Sequence, residues 1–394
     1  MSNQIDFKAE AEALREQLVA WRRDFHTHPE LGLQEYRSAG LIADRLRELG
    51  YQVQTGVATT GVVALLEGQQ PGPVVMLRFD MDALPITEVN EARYASQNPG
   101  VMHACGHDGH MAIGLGVATL MAQHQGEMAG TLKLVFQPGE EAMDGAKVMV
   151  EEGVLESPRP DVFLATHVWN EKPVGTVGVS PGATMAAAET WTCTVRGKGG
   201  HGALPHQTVD PIVATAQIVV ALQSVVSRNV SPQETAVVTV GTVHGGDASN
   251  IIPAQVNLSG TIRTYSPQVR EMVLRRVREV IEGVAAACGA EADLDIGSLT
   301  PAVTNDAGVA EVVHGAAQAV VGPENVSSDV QTMGSEDAAF FMQQVPGCYF
   351  FLGSANAERG LDAPHHNPRF DFDENALPLG VAVMMQTLAH YLHL

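Results

Sequence analysis

Three short apolar runs in this chain each end in residues able to bind a metal or move a proton, and that pattern constrains the fold more than any other feature. Val74–Phe79 leads into Asp80-Met81-Asp82, Leu132–Phe136 into Gln137-Pro138-Gly139-Glu140-Glu141, and Val162–Thr166 into His167. Together with Val62–Leu66 and Cys348–Leu352, these runs are bounded by Gly, Pro or polar residues and have the length of buried strands. Helical spacing fills Met111–Ala122 and Ala146–Glu151 between them. Alternation of this kind predicts an α/β layer structure, in which ligands gather outside the carboxyl ends of the strands. Residues far apart in the chain are therefore expected to converge on one site.

Ahead of these runs, Phe7 to Leu49 has helical spacing broken by His26–Gly32, which predicts two helices joined by a turn. From about Ala186 the pattern changes. Strand Thr190–Val195, helix Pro211–Val226, strands Ala236–Val243 and Gln255–Thr264, helix Gln268–Ala287 and strand Ala292–Ile296 follow in turn. The order β-α-β-β-α-β is that of a ferredoxin-like unit. A chain of 394 residues exceeds one ordinary core. Because ligand-type residues lie on both sides of this block, the reading is a catalytic domain over 1–184 and 300–394, with residues 185–299 inserted into it.

Asp and Glu outnumber Lys and Arg by 45 to 23, a formal charge of -22 that repels nucleic acid and anionic membranes, so neither is expected as a partner. Met1 to Val19 carries four acids and no unbroken apolar stretch, unlike a signal peptide, and no run approaches the length of a bilayer span. Cys105, Cys193, Cys288 and Cys348 show no paired spacing, which suits a reducing compartment. A cytoplasmic location follows as an expectation.

The densest chemistry lies in His103-Ala104-Cys105-Gly106-His107-Asp108-Gly109-His110, ahead of the Met111 helix. A thiolate two residues from an imidazole suits a divalent ion, and neighbouring acids can order the imidazole. Adjacent acids are usually solvated, but beside a metal Glu140-Glu141 reads as one unligated base and one ligand. Counted together, Cys105, His107, Glu141, His167 and His366 offer five ligands. One tetrahedral ion with an open position needs three, whereas two ions sharing a bridging ligand need about this many. The site is read as dinuclear. Nitrogen, oxygen and sulfur donors accept zinc, manganese, cobalt or nickel alike.

In the inserted block, Gly197-Lys198-Gly199-Gly200-His201-Gly202 matches the glycine spacing of a dinucleotide loop, so a nicotinamide dehydrogenase is a rival. The following helix opens late, near Pro211, and no acid lies about 20 residues beyond the glycines. A glycine-rich loop presenting His201 to a cleft is the better account. Asn250 and Arg263 are the other polar candidates there; an arginine late in a strand is usually half-exposed with its head in water, and less often holds a substrate carboxylate.

These residues resemble the aminoacylase and carboxypeptidase family of dinuclear metallopeptidases, in particular its hippurate hydrolase and N-acyl-amino-acid amidohydrolase branch. The resemblance runs from Trp21 to Asp373 through Phe25–Gly32, Arg78–Pro85, Met102–His110, Gln137–Glu141, Gly199–His206, Gly334–Asp337 and His366–Phe370. It implies a zinc-peptidase-like catalytic domain with a mixed sheet, and a lid domain through which two subunits form a homodimer or higher oligomer. It also implies Cys105 as bridging ligand, with His107, Glu141, His167 and His366 completing two divalent ions per subunit. Glu140 resembles the general base and Asp82 the acid supporting the metal centre. His201, Asn250 and Arg263 match lid residues that polarise the scissile carbonyl and hold the substrate carboxylate. The choice of His366 over His365 rests on the match to His-Asn-Pro. Asp80 and Cys105 stand where the wider family has His and Asp, which favours the amidohydrolase branch.

The implied reaction is hydrolysis of an N-acyl-amino acid, acetyl- or benzoyl-substituted as in hippurate, to a carboxylic acid and a free amino acid. A dipeptidase or carboxypeptidase of the same family is the nearer rival. A non-catalytic metal-binding sensor of acyl-amino acids would keep the ligands and lack the base that Glu140 supplies.

Overall fold

The computed structural model describes residues 5–141 and 145–394. In chain order, the first stretch forms α1 (Phe7–Ala13), α2 (Arg15–Thr27), α3 (Tyr36–Glu48), β1 (Gln52–Val57), β2 (Gly61–Glu67) and β3 (Gln70–Asp80). It continues with α4 (His107–His124), β4 (Ala129–Gln137), α5 (Gly145–Glu151), β5 (Val162–Pro173), β6 (Val177–Gly178) and β7 (Gly182–Met185). Next come β8 (Ala187–Arg196), β9 (Gly200–His201), α6 (Pro211–Asn229), β10 (Ala236–His244), β11 (Ile251–Ile252), β12 (Gln255–Thr264), α7 (Pro267–Ala287) and β13 (Glu291–Thr300). The last stretch holds β14 (Val303–Asn305), α8 (Ala307–Val321), β15 (Val326–Ser327), α9 (Ala339–Met342), β16 (Gly347–Ala355) and α10 (Ala376–Leu392). Two compact units result. One comprises Met1–Thr184, Thr304–Gln331 and Asp337–Leu394, the other Met185–Val303 and Thr332–Glu336.

The first unit is built on an eight-stranded mixed sheet in the order β1-β2-β4-β3-β5-β16-β6-β15. Its centre, β4-β3-β5-β16, is parallel. Parallel strands are covered on both faces, which is why these segments read as unbroken apolar runs rather than alternating ones. Parallel pairing also brings their carboxyl ends to one edge, where Asp80 of β3 lies in register with Gln137 of β4. The core between sheet and helices includes Leu18, Phe25, Phe79, Met111, Leu134, Phe350, Met384 and Leu388.

Two local expectations change. The N-terminal segment forms three helices instead of two, since the first helical stretch closes at Ala13 and α2 restarts at Arg15. His167 lies inside β5 rather than after it, because β5 keeps pairing with β16 beyond the apolar run, with His167 opposite Phe351.

The second unit is a four-stranded antiparallel sheet, β10-β12-β8-β13, with the β-α-β-β-α-β order and ferredoxin-like arrangement. Its helices start at well-formed caps. Asp210 precedes Pro211 and Ser266 precedes Pro267, and each cap side chain accepts backbone N–H bonds from the first turn. Burial of Val273, Val277, Ile281 and Ala285 marks the inner stripe of α7. At 19 residues, α6 is long and apolar enough to cross a membrane by length and composition, contrary to the expectation that no run approaches this length. Its inner face, through Ala214, Ile218, Leu222 and Val225, belongs instead to the core of this unit. Between the main strands, β9 and β11 form a separate two-stranded ladder.

Candidate metal centre

The edge formed by β3, β4 and β5 carries the polar groups expected from the sequence, and two loops complete it. One loop, residues 103–106, enters α4. Gly106 turns there with φ +92°, and a Cβ at this position would lie 2.3 Å from Val168 Cγ2. Glycine is therefore required between Cys105 and His107. The other loop follows β4. Glu35, buried, accepts from Gly139 N–H at 2.9 Å and from the Thr60 hydroxyl, which anchors the turn into Glu140-Glu141.

Ligand atoms of Cys105, His107 and His167 lie within 4.8 Å of one another, as do those of Cys105, Glu141 and His366. Those of His107, Glu140 and Glu141 do the same. Cys105 thus belongs to two overlapping sets.

The hydrogen bonds at the rear of each imidazole test whether these groups suit a metal. His107 Nδ1 donates to the Asp82 carbonyl at 2.8 Å, and its buried Nε2 makes no hydrogen bond. His167 Nδ1 donates to the Val168 carbonyl at 2.6 Å and leaves Nε2 3.4 Å from Cys105 Sγ. In the neutral form of each ring the backbone acceptor selects the tautomer whose free lone pair is on Nε2. Asp82 also accepts from Glu141 N–H at 2.8 Å through Oδ2, so one residue orders both His107 and the acidic loop.

Charge supports the same fit. Burial, with Glu141, Glu140 and Asp80 close by, pushes the Cys105 thiol well above its usual range. His107, which burial alone would depress, is raised to about 10 by Asp80 and Asp82. A dense set of buried acids and a thiol is stabilised by nearby cations. The two overlapping donor sets, with Cys105 in both, would suit divalent ions.

His365 and His366 are separated by their surroundings. His366 Nε2 lies 3.2 Å from Glu141 Oε1, and its backbone N–H donates to the Ala104 carbonyl at 2.8 Å, joining this segment to the Cys105 loop. His365 instead accepts from Asn170 N–H at 3.3 Å and stacks on Trp169 with ring centroids 4.9 Å apart. Burial pushes its pKa down to about 3.

Both nitrogens of His110 are engaged by the protein. Its Nδ1 is 2.5 Å from Asp80 Oδ1, and its Nε2 accepts from Val168 N–H at 2.9 Å. Despite burial, His107, His110 and Arg78 hold Asp80 well below the usual carboxylate range. Arg78 continues the network to Gln137 and to Asp337 of the Gly334–Asp337 block.

In the second unit, His201 pairs with Ile251 across the β9/β11 ladder, and Gly202 N–H donates to the Asn250 carbonyl at 2.8 Å. These two residues are neighbours and both are exposed. Ala203 N–H donates to His201 Nδ1 at 3.1 Å, so the neutral ring carries its proton on Nε2. Arg263 lies on β12 in the four-stranded sheet, opposite Val237 and Ala188, and not on that ladder.

Sequence reasoning passed over the buried cluster of Arg22, His26, Asp108 and Asp371 beside this centre. Its available signal was Arg22 and His26 sharing the inner face of α2 with Leu18 and Phe25, where a charge without a partner is costly.

Residues 76–390 match the profile of the family described as Peptidase family M20/M25/M40. The chain is 38% identical to a Bacillus subtilis N-acetyl-L-cysteine deacetylase over 92% of this chain and 85% of the relative. It is 35% identical to thermostable carboxypeptidase 2 of Saccharolobus solfataricus over 95% of each. A solved Bacillus subtilis structure, described as a dinuclear metal binding peptidase from the M20 family, is 33% identical with a TM-score of 0.84, covering 97% of this chain and 99% of that one. The overlapping ligand sets and these matches agree in one conclusion: the chain belongs to the M20/M25/M40 family of peptidases, a family with dinuclear metal binding and amide-cleaving members.

Proposed function

We propose that this protein is a metal-dependent amidohydrolase that cleaves N-acyl-amino acids, with acetyl or benzoyl acyl groups, to a carboxylic acid and a free amino acid. The observation that carries the reading is Glu140 buried beside Glu141 and His107, one acid more than ligation requires. Cys105, His107, Glu141, His167 and His366 would hold two divalent ions, zinc, manganese, cobalt or nickel. When bound, such ions polarise a carbonyl oxygen and acidify water. Glu140 takes the proton of the attacking water and delivers it to the leaving nitrogen, and Asp82 keeps His107 and Glu141 in place. His201, with its proton on Nε2, donates to the developing oxyanion, while Asn250 and Arg263 hold the substrate carboxylate.

The inserted unit serves as lid and dimerisation surface. Supporting this, β10 is an edge strand that exposes Val237 and Val243, and α6 exposes Ile212, Val213 and Val220. Exposed edges and apolar faces of this kind invite a second copy of the chain. The acidic charge favours a small-molecule substrate over nucleic acid or membrane, and the unpaired cysteines favour the cytoplasm.

The deacetylase relative favours the acyl-amino-acid reading, and the carboxypeptidase relative favours peptide cleavage as the second one. Free amino acid release from acetyl-, benzoyl- and aminoacyl-substrates, with bound metal quantified, separates them. Acyl substrates should turn over at least tenfold faster in kcat/KM. Preference for unblocked dipeptides would transfer the assignment to the peptidase reading.

A further inference from the structure

Arg22 is fully buried on α2, far in sequence from every ligand. Its Nε lies 2.7 Å from Asp108 Oδ2, and its Nη2 lies 2.7 Å from Asp371 Oδ1. Its Nη1 is 3.4 Å from Glu374 Oε1. The guanidinium is held between two rings, its carbon 4.9 Å from the centroid of Tyr94 and 4.5 Å from that of Phe372. His26, one turn later on the same face, reaches the same Asp108 oxygen at 2.7 Å and Glu88 at 3.2 Å. Tyr94 donates its hydroxyl proton to the other oxygen of Asp371 at 2.7 Å.

The partners of this one cation belong to the two segments that bring ligands from opposite ends of the chain. Asp108 follows His107 in the first turn of α4, three residues from Cys105. Asp371 follows His366 by five residues, within the segment that His366 N–H ties to the Ala104 carbonyl. Phe372 presses on the same turn, since a Cβ on Gly109 would lie 2.7 Å from Phe372 Cζ. A rigid fork bridging two carboxylates can hold two segments at a fixed spacing, which a lysine ammonium cannot do.

We infer that Arg22 is a positioning residue for the dinuclear centre: by bridging Asp108 and Asp371 it sets the spacing between the Cys105–His107 loop and the His366 segment, and so the affinity for metal. The inference rests on the ligand assignment proposed above. Ligand geometry held from outside the ligands themselves is commonly worth 10–100-fold in metal affinity.

The test is zinc affinity measured by competition with a chromophoric chelator, on full-length enzyme stripped of metal. Arg22→Lys should bind at least one of two zinc ions about 10–100-fold more weakly. Its kcat should fall at limiting zinc and recover in excess zinc, with substrate KM nearly unchanged. Asp371→Asn, which keeps the shape and removes one carboxylate charge from the bridge, should weaken zinc in the same direction, and it serves if the lysine variant does not fold. Leu46→Ala, a core truncation on α3, controls for general destabilisation and should lower the melting temperature with zinc affinity intact. Zinc affinity within twofold of wild type in Arg22→Lys and Asp371→Asn would overturn the inference, as would equal weakening in Leu46→Ala. Cys105→Ser and His107→Ala in the same assay test the underlying assignment separately. Retention of both zinc ions at full affinity in those two variants would remove the ligand assignment itself, whatever Arg22 does.

Discussion

The polar residues of the two units differ in how completely their own unit arranges them. Cys105, His107 and His167 are buried, and backbone carbonyls set both imidazole tautomers. His201 and Asn250 are exposed, and their hydrogen bonds described above lie at the short β9/β11 ladder. The apolar surfaces repeat the contrast. In the first unit α10 buries Leu377, Val381, Met384, Met385 and Leu388, whereas α6 in the second leaves Val220 73% exposed. Donors for a cation must be desolvated and oriented before it arrives. Residues proposed to act on a substrate or to meet another subunit would stay open until it does.

The strongest challenge to this contrast is chelation. Complete removal of divalent ions should abolish activity, and restoring them should return it. Activity that survives exhaustive chelation, with elemental analysis confirming no metal, would break the metallohydrolase reading. Next in size, Glu140→Gln should keep both ions and lose about 10²–10⁴-fold in kcat, the usual worth of a general base. Glu141→Gln should instead release metal. Near-normal turnover by a fully metallated Glu140→Gln enzyme would move the base elsewhere.

Whether the open residues of the second unit act across a dimer is tested by mixing two inactive chains, His201→Ala and Glu140→Gln. If His201 serves the site of the other subunit, the isolated heterodimer has one site with both residues intact and recovers up to half of wild-type activity. A verified heterodimer no more active than its parents excludes that exchange. If the proposed dimer forms through the exposed face of α6, Val220→Asp places a charge in it and should raise the dimer dissociation constant about tenfold or more, since a desolvated unpaired charge costs well over 1.4 kcal/mol. Sedimentation showing an unchanged dimer would put the interface elsewhere.

The smallest effect concerns pH. Burial and Arg22 oppose protonation of His26, yet Asp108 and Glu88 raise its pKa to about 8. A raised pKa contributes stability that is full below pH ~6.5 and lost as pH rises through the folded value. Metal-saturated enzyme should therefore lose up to about 2 kcal/mol of unfolding free energy from this group between pH ~6.5 and ~8.5. His26→Gln should flatten that slope in urea titrations. An unchanged slope would show that His26 is not the titrating group.

From the sequence alone came the strands of the central sheet, the ferredoxin-like block and the residue types of the metal centre. These are local or periodic properties: a parallel strand buried on both faces must be apolar throughout, and the helices of the inserted block begin at Asp210-Pro211 and Ser266-Pro267. The match to His-Asn-Pro favoured His366 over His365, and the tertiary structure shows what sets these adjacent identical side chains apart: Glu141 beside the first, Trp169 and Asn170 beside the second. Tertiary structure alone placed both nitrogens of His110 against partners, Asp80 and Val168 N–H. The bridge from Arg22 to Asp108 and Asp371 spans 86 and 349 positions in the chain. No periodicity encodes a contact at that range, and only the folded packing that strips water from Arg22 determines which carboxylates must meet it.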